Sequence, residues 1–176
     1  TRNVGETARD LIGGTRAFVL TDTHCEKIAK TVRRSLKEAG YRVAMKSITP
    51  GEKKKTLSTA NALYPVLLEA GLDRSSVFLT VGGGVITDLG GFVASTYMRG
   101  IPLIHVPTTL LAQVDAAIGG KTAVNLSHGK NLVGTFYQPK AIQIDIKNLS
   151  TLPQKELVGG IAEVVNGSCS VHRNAF

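Results

Sequence analysis

The chain has 176 residues, 21 Lys plus Arg against 13 Asp plus Glu, and a formal net charge of +8. With 43% hydrophobic and 19% charged residues and no low-complexity tract, it excludes disorder, collagen and coiled coil. That length suits one domain, or one with a small appendage, and no apolar run approaches the roughly 20 residues that span a bilayer.

From the N-terminus, Ala17 to Thr21 is a short apolar run suited to a buried parallel strand. Thr23 stands three residues before Glu26, a capping-box spacing that predicts a helix start. Ile28, Val32, Leu36 and Ala39 then form one apolar stripe, and Gly40 is the expected stop. Tyr41, Val43 and Met45 alternate with polar neighbours as a strand with one wetter face. Thr56 to Ala70 reads as a helix, with a kink expected at Pro65. Val77–Val81 and Ile101–Val106 are the next strands. This alternation predicts an α/β fold, a doubly wound and mostly parallel sheet of Rossmann-like type. After Pro107 the pattern becomes loop- and helix-rich, with one more strand at Ala141–Ile144 and no internal repeat.

The charge is uneven. Residues 1–55 hold 13 Lys/Arg against 6 Asp/Glu, much of the excess on one face of the helix that carries Lys27, Lys30, Arg33, Arg34 and Lys37. No aromatic residues interleave with it and there is no Trp, which argues against nucleic acid as partner; a phosphorylated, acidic small molecule suits the charge. Two cysteines, Cys25 and Cys169, make neither a disulfide framework nor a zinc ribbon, so a reducing compartment is expected. The chain starts at Thr1 without Met and shows no apolar leader, and it is expected to begin inside a longer product.

Gly82-Gly83-Gly84 follows the strand Val77–Val81 and precedes a helix starting near Val85. Such a turn allows close backbone approach and aims helix N–H groups at a phosphate, or it is simply a tight turn. The full dinucleotide fingerprint is incomplete, because Thr87 stands where its third glycine belongs. Gly120-Lys121-Thr122 is no P-loop, since Asp115 occupies the first glycine position. Asp115, Lys121, Lys130 and Asn131 instead fall in one glycine-punctuated stretch, as substrate-binding loops or as surface charge. The histidines at 24, 105, 128 and 172 lack metal-site spacing, Cys169-x-x-His172 offers only two ligands, and no hydrolase triad is visible.

Several of these stretches together resemble the 3-dehydroquinate synthases. They are the glycine turn running through Asp88 to Arg99-Gly100, Val106-Pro-Thr-Thr-Leu-Leu-Ala-Gln-Val-Asp115, Gly119-Gly-Lys-Thr-Ala-Val-Asn125, Gly129-Lys-Asn131, Phe136-Tyr-Gln-Pro139 and Thr151-Leu-Pro153. The similarity is nearly continuous from Val19 to Val165. It implies a cytoplasmic carbon–oxygen lyase of the shikimate pathway, working in chorismate and aromatic amino acid biosynthesis. Such an enzyme uses NAD and a divalent metal, zinc in most members, to convert 3-deoxy-D-arabino-heptulosonate 7-phosphate, a phosphorylated keto-acid sugar, into 3-dehydroquinate and phosphate. It also implies a homodimer for the full-length protein.

Position by position, the resemblance assigns cofactor contacts to Asp22, His24, Glu52, Lys55, Gly83, Gly84, Asp88, Thr108, Thr109, Lys130 and Thr151. It assigns substrate contacts to Arg99, Asp115, Lys121 and Asn131, and a metal ligand to Glu163. It divides the chain into an NAD-binding domain at 1–150 and, at 151–176, the start of a helical metal-binding domain whose remainder is missing. Departures are His24 for a usual Asn and Ala116-Ala117 for a Ser-containing pair. Asn166 stands where a substrate lysine is expected, and the tail from there to Phe176 does not align. Asn166-Gly167 is a turn signal, so the last helix is expected to stop there. The alternatives are a non-catalytic nucleotide-binding module and a related NAD- and metal-dependent polyol dehydrogenase.

Overall fold

A computed structural model describes Thr1 and residues 3–173, with the side chains of the last helix described only as far as Val165. Five parallel strands run in the order β2-β1-β3-β4-β7, from β1 (Arg16–Asp22), β2 (Arg42–Ile48), β3 (Val77–Gly82), β4 (Leu103–Pro107) and β7 (Ala141–Ile142). The expected α/β architecture is present.

Strand periodicity explains the layers. Phe18, Leu20 and Phe78 point to one face of the sheet, where Leu63, Leu67, Leu89 and Val93 cover them. Ala17, Val19, Val77 and Leu79 point to the other, against Val4, Ala8, Ala29, Val32 and Leu36. A strand buried on both faces has to be apolar throughout, which is why β1 and β3 read as unbroken hydrophobic runs. The covering helices are α3 (Leu57–Glu69) and α4 (Gly84–Thr96) on the first face, α1 (Val4–Leu11) and α2 (Glu26–Glu38) on the second. In α4, Gly90 lets the helix lie directly on the sheet, because a Cβ there would stand 2.3 Å from Thr80 Cγ2.

Several expectations need correction. Helix α1 carried no sequence expectation; it docks on α2, where the Gly5 amide donates to Ser35 Oγ at 3.0 Å. Helix α2 begins at Glu26 with Cys25 as its cap residue and no side-chain cap bond. Asp22 replaces the expected Thr23–Glu26 box: its Oδ1 accepts from the backbone N–H groups of His24 at 2.9 Å and Cys25 at 3.1 Å. Helix α3 continues through Pro65, which is exposed, so the carbonyl freed at Asn61 faces water. The stretch after Pro107 is not mainly loop and helix. It contains an antiparallel hairpin, β5 (Lys121–Leu126) and β6 (Gly129–Phe136), packed on α4 through Thr122 and Gly91. Strand β7 is two residues long, shorter than expected, and a 3-10 segment, Ile146–Thr151, follows it. Helix α5 (Gln154–Arg173) runs through Asn166-Gly167 and does not stop there. Their low helix propensity, about 1 kcal/mol for a glycine, does not end a helix by itself.

His105, in the middle of β4, is 2% exposed and shares a 2.6 Å hydrogen bond with Thr80 Oγ1. Burial pushes its pKa down from 6.5 to about 4. The folded value lies below the unfolded one, so its contribution to stability is complete above pH 6.5 and is lost as pH falls through about 4. The shift corresponds to about 3 kcal/mol. Denaturant titrations of the wild type and His105→Gln should therefore diverge in slope between pH 6.5 and 4, the wild type losing more stability on acidification. Parallel profiles would show that His105 is not held neutral.

Candidate active site

In a parallel sheet all carboxyl ends emerge on one side, and a crevice opens where successive crossovers leave in opposite directions. Here that point lies between β1 and β3, since the chain goes from β1 outward to β2 and returns to β3 beyond it. A cavity of about 930 Å³ occupies it. Every position that the sequence resemblance assigned to the cofactor lines this cavity. Asp22 and His24 come from the end of β1, Glu52 and Lys55 from the segment after β2, and Gly83, Gly84 and Asp88 from the β3–α4 turn and α4. Thr108 and Thr109 follow β4, Lys130 is on β6, and Thr151 closes the 3-10 segment.

The glycine turn is tight for a steric reason. Gly83 has an ordinary φ of −81°, but a Cβ there would stand 3.0 Å from Thr109 Cγ2, while the space at Gly84 is open to 3.7 Å. Gly83 also leaves the first turn of α4 without a side-chain cap. The N–H groups at that end are oriented for an anion.

Lys55 organises the opposite wall. It is 4% exposed, and its Nζ donates to Asp88 Oδ2 at 2.8 Å and to Asn131 Oδ1 at 2.6 Å, with Glu52 Oε1 at 3.7 Å. Burial lifts the Asp88 carboxyl above the usual range, and the Lys55 ammonium pulls against that lift. Cys25, which also lines the cavity, bonds with Thr108 Oγ1 at 3.3 Å, and burial pushes its thiol up.

A second cavity of about 440 Å³ adjoins the first, with Asp88, Asp115, Ala116 and Asn131 lining both. Lys121 lies in this second space, 3.3 Å from Asp115 Oδ1 in an exposed ion pair. Thus Asp115, Lys121 and Asn131 line one cavity, on or beside a hairpin instead of on loops. Arg99 does not join them. It lies outside both cavities with a left-handed φ of 66°, just after Met98 with 51°. Glu163 also lines neither cavity, and the described residues contain no group of three or more His, Cys, Asp or Glu able to hold a metal. His172 and Cys169 lie outside the described side chains. Sequence reasoning missed Ile28, Asn148 and Glu156, which line the main cavity but carry no local motif.

A parallel α/β sheet with its crevice at a strand-order reversal and a glycine turn at the crevice defines a Rossmann-like class of domain, in which ligands bind at that crevice. Within that class, the profile described as 3-dehydroquinate synthase N-terminal matches residues 45–159. The chain belongs to the 3-dehydroquinate synthase family. It is 51% identical over 153 residues to the 3-dehydroquinate synthase of Desulforamulus reducens, covering 86% of this chain and 43% of the relative. A solved 2-deoxy-scyllo-inosose synthase, complexed with carbaglucose-6-phosphate, NAD+ and Co2+, superposes with a TM-score of 0.84 at 32% identity, over 93% of this chain and 46% of the other. A glycerol dehydrogenase from Schizosaccharomyces pombe superposes with a TM-score of 0.69 at 24% identity, over 93% and 40%, and shares the fold. The chain therefore spans less than half the length of the curated relatives it matches.

Removing one partner of a buried ion pair leaves the other charge stranded, at a cost of about 3 kcal/mol. Lys55→Met should lower unfolding stability by about that much, while adding Asp88→Leu should recover most of it. Urea denaturation checks both. A loss below about 1 kcal/mol for Lys55→Met would be typical of a solvated surface pair and would sink the buried-pair argument.

Proposed function

We propose that this chain is the NAD-binding half of a 3-dehydroquinate synthase, and that the two adjoining cavities divide cofactor from substrate. The observation that carries the reading is the convergence of every motif-matched cofactor position on one crevice. The solved 2-deoxy-scyllo-inosose synthase is complexed with NAD+ and carbaglucose-6-phosphate, which supports a cofactor and substrate of those chemical classes.

The residues present suit a dinucleotide. Cavity volume falls within the range of small-molecule sites, about 300–1,000 Å³. The first turn of α4, uncapped and lined by Gly83 and Gly84, would receive the pyrophosphate, with Lys130 adding a positive charge. Asp22 holds its own loop through Oδ1, so Oδ2 would accept ribose hydroxyls. When bound, NAD supplies reversible acceptance of hydride from a secondary alcohol. In the second cavity Lys121 would meet phosphate or carboxylate, and Asp115 and Asn131 would orient ring hydroxyls. Asp88 and Asn131, which face both spaces, hold Lys55 between them and fix its ammonium at the boundary.

Among the described residues no group suits a resident metal: Glu163, the position matched to a ligand, offers one where a catalytic zinc site keeps three. A purely structural nucleotide module shares the crevice but gives no reason for a Lys121–Asp115 pair beside it. A polyol dehydrogenase likewise has no phosphate for Lys121 to meet.

Titration calorimetry on the 176-residue chain should give a dissociation constant for NAD in the micromolar to millimolar range. Asp22→Ala should weaken binding by about tenfold, the equivalent of roughly 1.4 kcal/mol. Absence of saturable NAD binding would overturn the reading. With NAD and zinc in excess, phosphate release from the heptulosonate phosphate should stay near background. Turnover of about 1 per second or faster, ordinary for an enzyme, would overturn the assignment of half a site.

A further inference from the structure

We infer that Asn125 is a positioning residue of the cofactor crevice, acting through Glu52 and Asn131; the inference rests on the reading of that crevice as an NAD site. Asn125 lines neither cavity. It stands behind the wall, where the β5–β6 pairing breaks register between Val124 and Leu126. Such irregularities turn a residue out of the ladder and re-aim its side chain. Freed from β6, Asn125 pairs instead with the segment after β2: it forms a parallel bridge with Thr56, and its N–H donates to the Lys55 carbonyl at 2.8 Å.

Its amide then does two jobs at once. Nδ2 donates to Glu52 Oε1 at 2.8 Å, and Oδ1 accepts from the Asn131 backbone N–H at 2.9 Å. Asn131 has a left-handed φ of 58°, a region that asparagine enters more readily than most non-glycine residues. That conformation directs its own Oδ1 to Lys55 Nζ. One amide thus sets both a carboxylate and an amide of the crevice wall, and through them the buried lysine. Only Asn and Gln carry a donor and an acceptor on one planar amide, and Gln is one methylene longer.

The test uses the intact chain, with two readouts: the NAD dissociation constant and the exchange rate of the Asn131 amide proton. Asn125→Ala should speed exchange at Asn131 at least about tenfold while leaving Leu79, in β3, protected as in the wild type, and should weaken NAD about tenfold. Asn125→Asp keeps the acceptor for Asn131 but sets a carboxylate against Glu52. It should weaken NAD about tenfold in the native background and by less than about twofold beside Glu52→Gln, where a donor faces it again. A merely structural role predicts equal costs in both backgrounds, which would overturn the inference, as would unchanged Asn131 exchange in Asn125→Ala. If the wild type fails to bind NAD, the cofactor reading falls, and the Asn131 exchange rates alone decide whether Asn125 holds this wall.

Discussion

Parallel strands joined by right-handed crossovers must all end on the same side of the sheet, and everything else at this site follows from that constraint. The order β2-β1-β3-β4-β7 separates two neighbours, β1 and β3, whose following helices leave toward opposite faces. Their carboxyl ends are therefore not roofed by either crossover. Asp22 at the end of β1 and the Gly82–Gly84 turn at the end of β3 face the opening, and Thr108 reaches it from β4. Asp22 spends half its carboxylate on the backbone of its own turn, which fixes the other half at the crevice.

The far wall is built differently. Its parts are tied together by polar bonds that water would otherwise satisfy. Lys55 is buried because Asp88 and Asn131 meet its ammonium, and the hairpin stays against α4 through Thr122, Thr135 and Ser95. A buried charge left without partners would be expensive, so the 52–56 segment, α4 and the hairpin are tied as one unit. This arrangement also explains why the two cavities adjoin: Asp88 and Asn131 line both. Helix α5 carries exposed Val158, Ile161, Val164 and Val165, and it touches the body where Gly160 meets Leu110 and Leu111.

What was legible in the sequence was local and periodic. Apolar runs named the strands β1, β3 and β4, the stripe from Ile28 to Ala39 named α2, and the glycine turn after Val81 marked the crevice. These signals survive because each depends on a backbone period or a steric need within a few residues. The resemblance to a family added the identities of the crevice residues, and all of its cofactor positions lie together. Helix α1 escaped notice because its eight residues carry too few periodic positions to stand out. The β5–β6 hairpin escaped because Gly134 and a register break weaken its alternation.

The chain by itself thus determined its α/β class, the order of its main elements and the turn that faces a ligand. Only the tertiary structure decided that Thr23 gives α2 no side-chain cap, that α5 continues through Asn166-Gly167, and that Arg99 lines neither cavity. The physical reason is range. Capping and turn propensities are worth about 1 kcal/mol and yield to packing or to a competing side chain such as Asp22. Which distant residues share a wall is set by strand order and by bonds such as Asn125 to Glu52, which join positions 73 residues apart.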